Sequence, residues 1–182
     1  MIKHTLLTLT LLLPLTHSGA GNQQLVSLIK VEDGDTLVVN MESKSVRIQL
    51  IGIDAPEDVE NPKLTKDLQR TALSKPTLMK IGEAATAHLK GLVTAGQKLH
   101  LMGDLTKQDR YGRLSALVFK DENHSLNAIM VEDGYAVVLG RYPIDPELKK
   151  RLMSREQSAI DRREGLWGSA PETTHAWHGQ PK

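Results

Sequence analysis

Apolar and polar residues alternate along much of the first third of the chain, and that alternation predicts strands. Leu25 to Val31 reads as the first. Asp33-Gly34-Asp35 follows as a turn, with Gly34 supplying the freedom a tight reversal needs. Thr36 to Met41 is the second strand, with Leu37, Val39 and Met41 on one face. Glu42-Ser43-Lys44 breaks the pattern. Ser45 to Ile53 resumes it, Val46, Ile48 and Leu50 alternating against Arg47 and Gln49. Three strands joined by short turns predict a meander. Lys98 to Asp104 and Leu114 to Lys120 read as two further strands, and Tyr135 to Leu139 is short and apolar. Between them the period lengthens. Ala85, Leu89, Leu92 and Val93 form one stripe of a helix over Glu83 to Ala95, which Gly96 is expected to cap. Ser125 is placed to cap a short helix that stops at Gly134. Pro146 suits the first turn of a last helix running to about Arg163, with Leu148, Leu152, Ala159 and Ile160 inward and Gly165 closing it. Five antiparallel strands, an interposed helix and two late helices predict an α+β fold on a small closed barrel of the oligonucleotide/oligosaccharide-binding type.

Two stretches carry no period. Asp58 to Ile81 holds Pro62, Pro76 and many charges, and is expected to be a long, slightly basic surface loop. Residues 169–182 are polar, with two prolines, and are expected to be a disordered tail in which His175 and His178 are solvated. One domain over residues 21–168 is therefore expected. Before it, Lys3 and His4, the run Leu6 to Leu15, and Ser18-Gly19-Ala20 read as a signal peptide cleaved near Ala20. That run is short of the roughly 20 residues a bilayer span needs, and Pro14 interrupts it. The expected location is secreted or periplasmic, with no membrane attachment after cleavage.

Composition narrows the chemistry. Cysteine is absent, which excludes disulfides and thiolate metal sites. Without Lys3 the basic and acidic residues balance at 22 each, so no global charge draws the chain to nucleic acid and any phosphate affinity must be local. One Phe, two Trp and three Tyr are too few for a broad base-stacking platform. The informative residues are Asp33, Asp35, Asp54 and Glu57, all at predicted strand ends. Crowded carboxylates repel one another, more strongly as water is excluded, and a cation relieves the repulsion. Oxygen donors without His or Cys favour Ca2+ or Mg2+, and Ca2+ tolerates irregular geometry. Asp33 alone reads as a turn residue, whereas Asp35 with Asp54 reads as a metal pair. Asp33-Gly34-Asp35 lacks the later ligands of an EF-hand loop. Arg110 and Arg113 flank Tyr111-Gly112 at a third turn. A guanidinium fork opposite a metal would clamp a phosphoryl group, and Glu57 would orient the attacking water.

Three motifs in this order, Asp33-Gly34-Asp35-Thr36, Ile51-Gly52-Ile53-Asp54-Ala55-Pro56-Glu57 and Asp109-Arg110-Tyr111-Gly112-Arg113, resemble the staphylococcal nuclease (thermonuclease) family. The resemblance spans about Val26 to Trp167, including Gly82-Glu83-Ala84 and Gly165-Leu166-Trp167. It implies a five-stranded barrel with three helices and Ca2+-dependent hydrolysis of DNA and RNA to 3′-phosphate products. By position it implies that Asp35, Asp54 and the backbone carbonyl of Ala55 hold calcium, that Glu57 and Arg113 are catalytic, and that Thr36, Arg110, Tyr111 and Tyr142 lie near the substrate. The chain departs from the family at Gln49, where the resemblance places a second phosphate-binding arginine. Arg47 lies two residues earlier, roughly 7 Å away along the strand. Either Arg47 reaches the site or Gln49 donates a weaker, neutral hydrogen bond. The first reading is a secreted, monomeric, Ca2+-dependent endonuclease acting on single-stranded or unpaired DNA and RNA. The alternative is a non-catalytic barrel that binds single-stranded nucleic acid. A calcium-stabilised periplasmic module is a third. Residues 58–81 exceed the family's usual loop in length, which bears on substrate range.

Overall fold

Alternating apolar residues do form strands, and the barrel they close has one feature that alternation alone does not predict. A computed structural model describes residues 23–179. Its elements run β1 (Gln23–Val31), β2 (Thr36–Met41), β3 (Lys44–Leu50), β4 (Ile53–Asp54), α1 (Pro62–Thr71), α2 (Lys75–Leu92), β5 (Lys98–Met102), β6 (Leu114–Phe119), α3 (Leu126–Glu132), β7 (Val137–Val138), α4 (Pro146–Arg162), α5 (Gly165–Ser169) and α6 (Pro171–His178). The expected signal peptide lies outside the described residues. Among those residues no helix is long and apolar enough to cross a membrane.

The barrel order is β1-β2-β3-β6-β5. β1, β2 and β3 form the expected meander, and β5 pairs antiparallel with both β1 and β6. The closing pair is parallel: Ile48 faces Leu114 and Leu50 faces Ala116. A fully antiparallel set was expected. Side-chain alternation reports which face is buried, not which way the neighbour runs, and the chain reaches β6 by a long crossover. Leu37, Val39, Ile48, Leu50, Leu99, Leu101, Ala116 and Val118 fill the barrel, and Ala85 and Leu89 of α2 pack on the same core.

Residues 58–81 are mostly helical, which corrects the surface-loop expectation. Pro62 stands in the first turn of α1, and Asn61 caps it by accepting from the backbone N–H groups of Lys63 and Leu64. Ser74 likewise accepts from Thr77 N–H at the start of α2, with Pro76 in the first turn. Both prolines therefore begin helices. Leu64, Leu78 and Ile81 bury against Val137, Ala159, Leu166, Trp167 and Trp177 in a second core cluster. α2 starts earlier than expected and ends at Leu92, with Val93 extended, so Gly96 lies in the turn beyond rather than at the cap. Ser125 caps α3 and Pro146 opens α4, both as expected, whereas Gly165 opens α5 and the αL cap of α4 is Arg163.

The tail expectation is also corrected. Residues 171–178 form α6, and Trp177 is only 2% exposed. The Trp177 indole N–H donates to Asp67 at 3.2 Å, and Arg70 donates to the Trp177 carbonyl. Six helical segments among the described residues replace the three that the resemblance implies.

Two local features carry predictions. A Cβ at Gly82 would stand 2.1 Å from the Glu57 carbonyl oxygen and 2.7 Å from the Asp58 nitrogen. Backbone must move to admit it. Gly82→Ala is expected to cost about 1–3 kcal/mol in urea unfolding, the usual penalty of overpacking. Equal stability would show that the segment carrying Glu57 yields freely.

His178 sits over Trp167 with ring centroids 5.5 Å apart, and its Nε2 is 3.5 Å from Glu156 Oε1. Burial depresses its pKa below 6.5, helped by His175 and Arg70. The folded state thus holds His178 neutral while the unfolded state takes a proton at higher pH. Its contribution to stability is present above pH 6.5 and lost as pH falls through the depressed value. Glu156, raised by burial although it accepts the Val138 N–H, contributes with the opposite sign. Subtracting the stability profile of His178→Gln from that of the native chain isolates the histidine. The difference is expected to shrink on acidification below pH 6.5.

Candidate active site

The site is assembled at one end of the barrel from the turn before β2, the segment after β3, and the turn before β6. Asp33 Oδ1 accepts from the Asp35 N–H at 3.0 Å, the turn role read from the sequence. Asp35 is then directed inward. It is 6% exposed, its Oδ2 accepts from the Ala55 N–H at 3.0 Å, and its Oδ1 accepts from the Thr36 hydroxyl at 3.1 Å. Thr36 Oγ1 in turn accepts from Arg113 Nη1 at 3.3 Å. Thr36 is fully buried, so its hydroxyl links Asp35 to Arg113 and does not face the substrate side where the resemblance placed it.

Asp109 shapes the third turn. Its Oδ1 accepts the N–H groups of Tyr111 and Arg113, and its Oδ2 accepts from Arg113 Nε at 2.9 Å. Burial would raise the Asp109 pKa, but the Arg113 backbone and side chain outweigh it and hold the carboxyl below the usual range. Arg113 is thereby fixed at two nitrogens, with the rest of its fork facing a cleft.

That cleft, about 180 Å³, is lined by Asp35, Gln49, Asp54, Glu57, Lys63, Arg113 and Tyr142, among others. The four groups proposed from sequence as ion ligands and catalysts converge on it. A second cleft, about 440 Å³, shares Glu57, Lys63 and Arg113 with the first and is lined by Arg47, Lys66, Arg110 and Tyr111. Tyr111 is 45% exposed, and the Arg110 guanidinium carbon lies 4.7 Å from its ring centre. Tyr142 stands half-exposed at the rim of the first cleft.

The choice between Gln49 and Arg47 is resolved by geometry. Gln49 lines the first cleft, and its Oε1 is buried without a hydrogen-bond partner among the described residues. Arg47 lines only the second cleft of the two. Its guanidinium is held by Glu32 and donates to the Tyr111 carbonyl at 3.3 Å. Arg47 therefore does not stand in for the missing arginine: Glu32 captures it first.

Lys63 is the residue the sequence reading did not single out. Its Nζ is 3.0 Å from the Ala55 carbonyl oxygen, 3.2 Å from Asp54 Oδ1, 3.0 Å from Glu57 Oε1 and 3.5 Å from Asp67 Oδ2. Asn61, the cap of α1, donates to the other Glu57 oxygen. Burial opposes the lysine charge, but Asp54, Glu57, Asp35 and Asp67 together outweigh it and hold its pKa above the ordinary lysine value. Burial also raises Asp35 and Asp54, with Lys63 opposing the rise at both. The available signal was local: Asn61-Pro62 is a helix-start pair, and Lys63 and Asp67 stand four apart on the helix it begins.

Among the described residues no three Asp, Glu or His side chains gather in a ready metal site. The donors on offer are two carboxylates and the Ala55 carbonyl. Their chemistry fits a hard cation, since all are oxygens, and an ammonium already gathers two of them.

Comparison with known proteins places the sequence among related chains. The family model described as staphylococcal nuclease homologue matches residues 47–169. A protein of Escherichia coli named "Uncharacterized endonuclease" is 32% identical over 143 residues, covering 79% of this chain and 76% of its own. "Thermonuclease" of Staphylococcus hyicus is 26% identical over 149 residues, covering 82% and 79%. "Endonuclease YhcR" of Bacillus subtilis is 26% identical over 142 residues, covering 76% of this chain but 11% of its own length.

Proposed function

Since the chain belongs to the staphylococcal nuclease homologue family, and is a nuclease-type hydrolase at the level of that family, we propose that it is an exported, monomeric, Ca2+-dependent endonuclease that cuts unpaired DNA and RNA to 3′-phosphate ends. The observation that carries the reading is the convergence of Asp35, Asp54, Glu57 and Arg113 on one cleft.

Asp35, Asp54 and the Ala55 carbonyl would hold the ion, which when bound offsets the charge on the phosphoryl oxygens. The chain's own groups do the rest. Arg113, fixed by Asp109 and Thr36, presents its remaining N–H donors to a phosphodiester and stabilises the charge that grows on it. Glu57 orients a water and takes its proton as the water oxygen bonds to phosphorus. The P–O5′ bond breaks, its electron pair stays on O5′, which takes a proton from solvent water, and the products are a 5′-hydroxyl on one fragment and a 3′-phosphate on the other. Arg110 and Tyr111 in the second cleft offer a cation and an aromatic face to an adjacent nucleotide. A flexible single strand can enter both clefts at once, which favours unpaired substrates. Gln49 supplies a neutral donor where a second arginine would strengthen the clamp, so turnover is expected to be slow.

Purified protein incubated with denatured DNA and with RNA, in Ca2+ and then in EGTA, tests the reading. The expected result is cleavage in Ca2+ alone, with product ends that a 3′-phosphatase must treat before they extend. The mass of the protein recovered from outside the cytoplasm tests export, the expected N-terminus being Gly21. A second reading, binding without cutting, is favoured by one feature: the unpartnered Gln49 oxygen beside Arg113. Retention of single strands without turnover in the same assay selects it.

A further inference from the structure

Three carboxylates and a backbone carbonyl surround one amine at this site, and the amine belongs to the chain itself. We infer that Lys63 is a tethered cation that competes with the divalent ion for the oxygens of Asp54 and Ala55, so that the ion enters only as Lys63 withdraws. The inference rests on the calcium reading above and goes beyond it, because it gives Lys63, which that reading does not use, a role at the ion's own oxygens.

The distances set up the competition. Calcium binds oxygens at about 2.3–2.6 Å. Lys63 Nζ already lies 3.0 Å from the Ala55 oxygen and 3.2 Å from Asp54 Oδ1. An ion bonded to both oxygens would crowd the ammonium with like charge at short range, which a poorly solvated site screens weakly. The two cations therefore exclude one another.

The lysine also has somewhere to go. Asp67 lies one helical turn along α1, its Oδ2 3.5 Å from Nζ. Asp67 is itself buried and held in place by Arg70 at 3.0 Å and by the Trp177 indole. A small rotation of the Lys63 side chain keeps Asp67 while releasing Asp54, the Ala55 carbonyl and Glu57. Release of Glu57 is the consequence for catalysis. One Glu57 oxygen is paired with Lys63 and the other accepts from Asn61, so a donor already competes with water at each. Ion entry thus frees the carboxylate that the reaction uses, and coupling of this kind keeps the cleft idle until calcium arrives. α1, which carries Lys63, occupies the stretch where the sequence suggested only an extended loop.

Isothermal titration with Ca2+ and thermal melts in EGTA and in Ca2+ test this without reference to turnover. A competitor resident in the site weakens apparent affinity in inverse proportion to the fraction of time it leaves the site free. Lys63→Met is therefore expected to bind Ca2+ roughly 10–100-fold more tightly than the native chain. It should melt below the native chain in EGTA, where its carboxylates lose their cation, and gain more from added Ca2+. Lys63→Arg keeps the charge and should bind as weakly as the native chain. Lys63→Gln, better suited to a polar site, carries the same expectation as Lys63→Met should the latter not fold. Equal Ca2+ affinity in the native chain and the neutral variants, with Ca2+-dependent cleavage retained, overturns the inference alone. Absence of Ca2+ binding in every variant overturns the calcium reading and this inference with it.

Discussion

Glu57→Gln is expected to lower the rate of denatured-DNA cleavage by roughly 10²–10⁴-fold, the range by which a positioned general base accelerates proton transfer. The amide keeps the size and shape of the side chain but cannot take a proton from water. Three observations locate the effect at the chemistry. Glu57 lines both clefts with Arg113, so a phosphodiester held by the guanidinium lies beside the carboxylate. Its backbone is seated against α2 at Gly82, where even a methyl group does not fit, so the side chain is aimed by the fold. Its charged partner among the described residues is Lys63, which lies outside the apolar residues that fill the barrel. The variant should therefore keep the native circular dichroism and bind single strands as well as before or better, one repelling charge being gone. Single-turnover cleavage by gel, alongside fluorescence anisotropy for binding, separates the two steps. A rate within about threefold of native would remove Glu57 from the reaction, since deletion of a working base costs far more.

Trp177→Ala is expected to destabilise the protein by about 3–5 kcal/mol, the usual cost of emptying a buried aromatic site. Trp177 is buried with Trp167, Leu64, Leu78 and Ile81 in the core that joins α1, α2 and α6. Its loss also strips Asp67 of the indole N–H, leaving a buried carboxylate with Lys63 and Arg70 as its side-chain donors. The effect should spread to the active site, because Asp67 is the far anchor of Lys63. Urea unfolding measures the stability. Termination after Ser169 should reproduce the loss, whereas removal of a solvated tail would change stability by less than about 0.5 kcal/mol.

These two predictions come from opposite ends of what sequence makes legible. Glu57 was identified before any geometry, because Asp54-Ala55-Pro56-Glu57 is a local motif whose residue types imply their chemistry. Arg113 was identified the same way. Trp177 was placed in a tail expected to be disordered. α6 is eight residues long, and six of its positions are Pro, Glu, Thr or His, so its period is too short to register. Residues 58–81 hid for a related reason. Their charges and the prolines Pro62 and Pro76 obscure the period, although Asn61 and Ser74 near them make each a helix start.

What the sequence determined alone is the barrel and the identity of its chemical groups. Period-two alternation specifies which side of each strand must leave water, and turn motifs carry carboxylates and guanidinium to strand ends whatever the packing beyond. What the tertiary structure decided is which of those groups meet. The parallel closure of β3 on β6, the capture of Arg47 by Glu32 and the reach of Lys63 into the carboxylates all join residues 15 or fewer positions apart in two cases and about 65 apart in the other. None leaves a mark on local periodicity. Long side chains and strand neighbours take the partner that lowers electrostatic and burial free energy in the assembled molecule, and that partner exists only once the chain has folded.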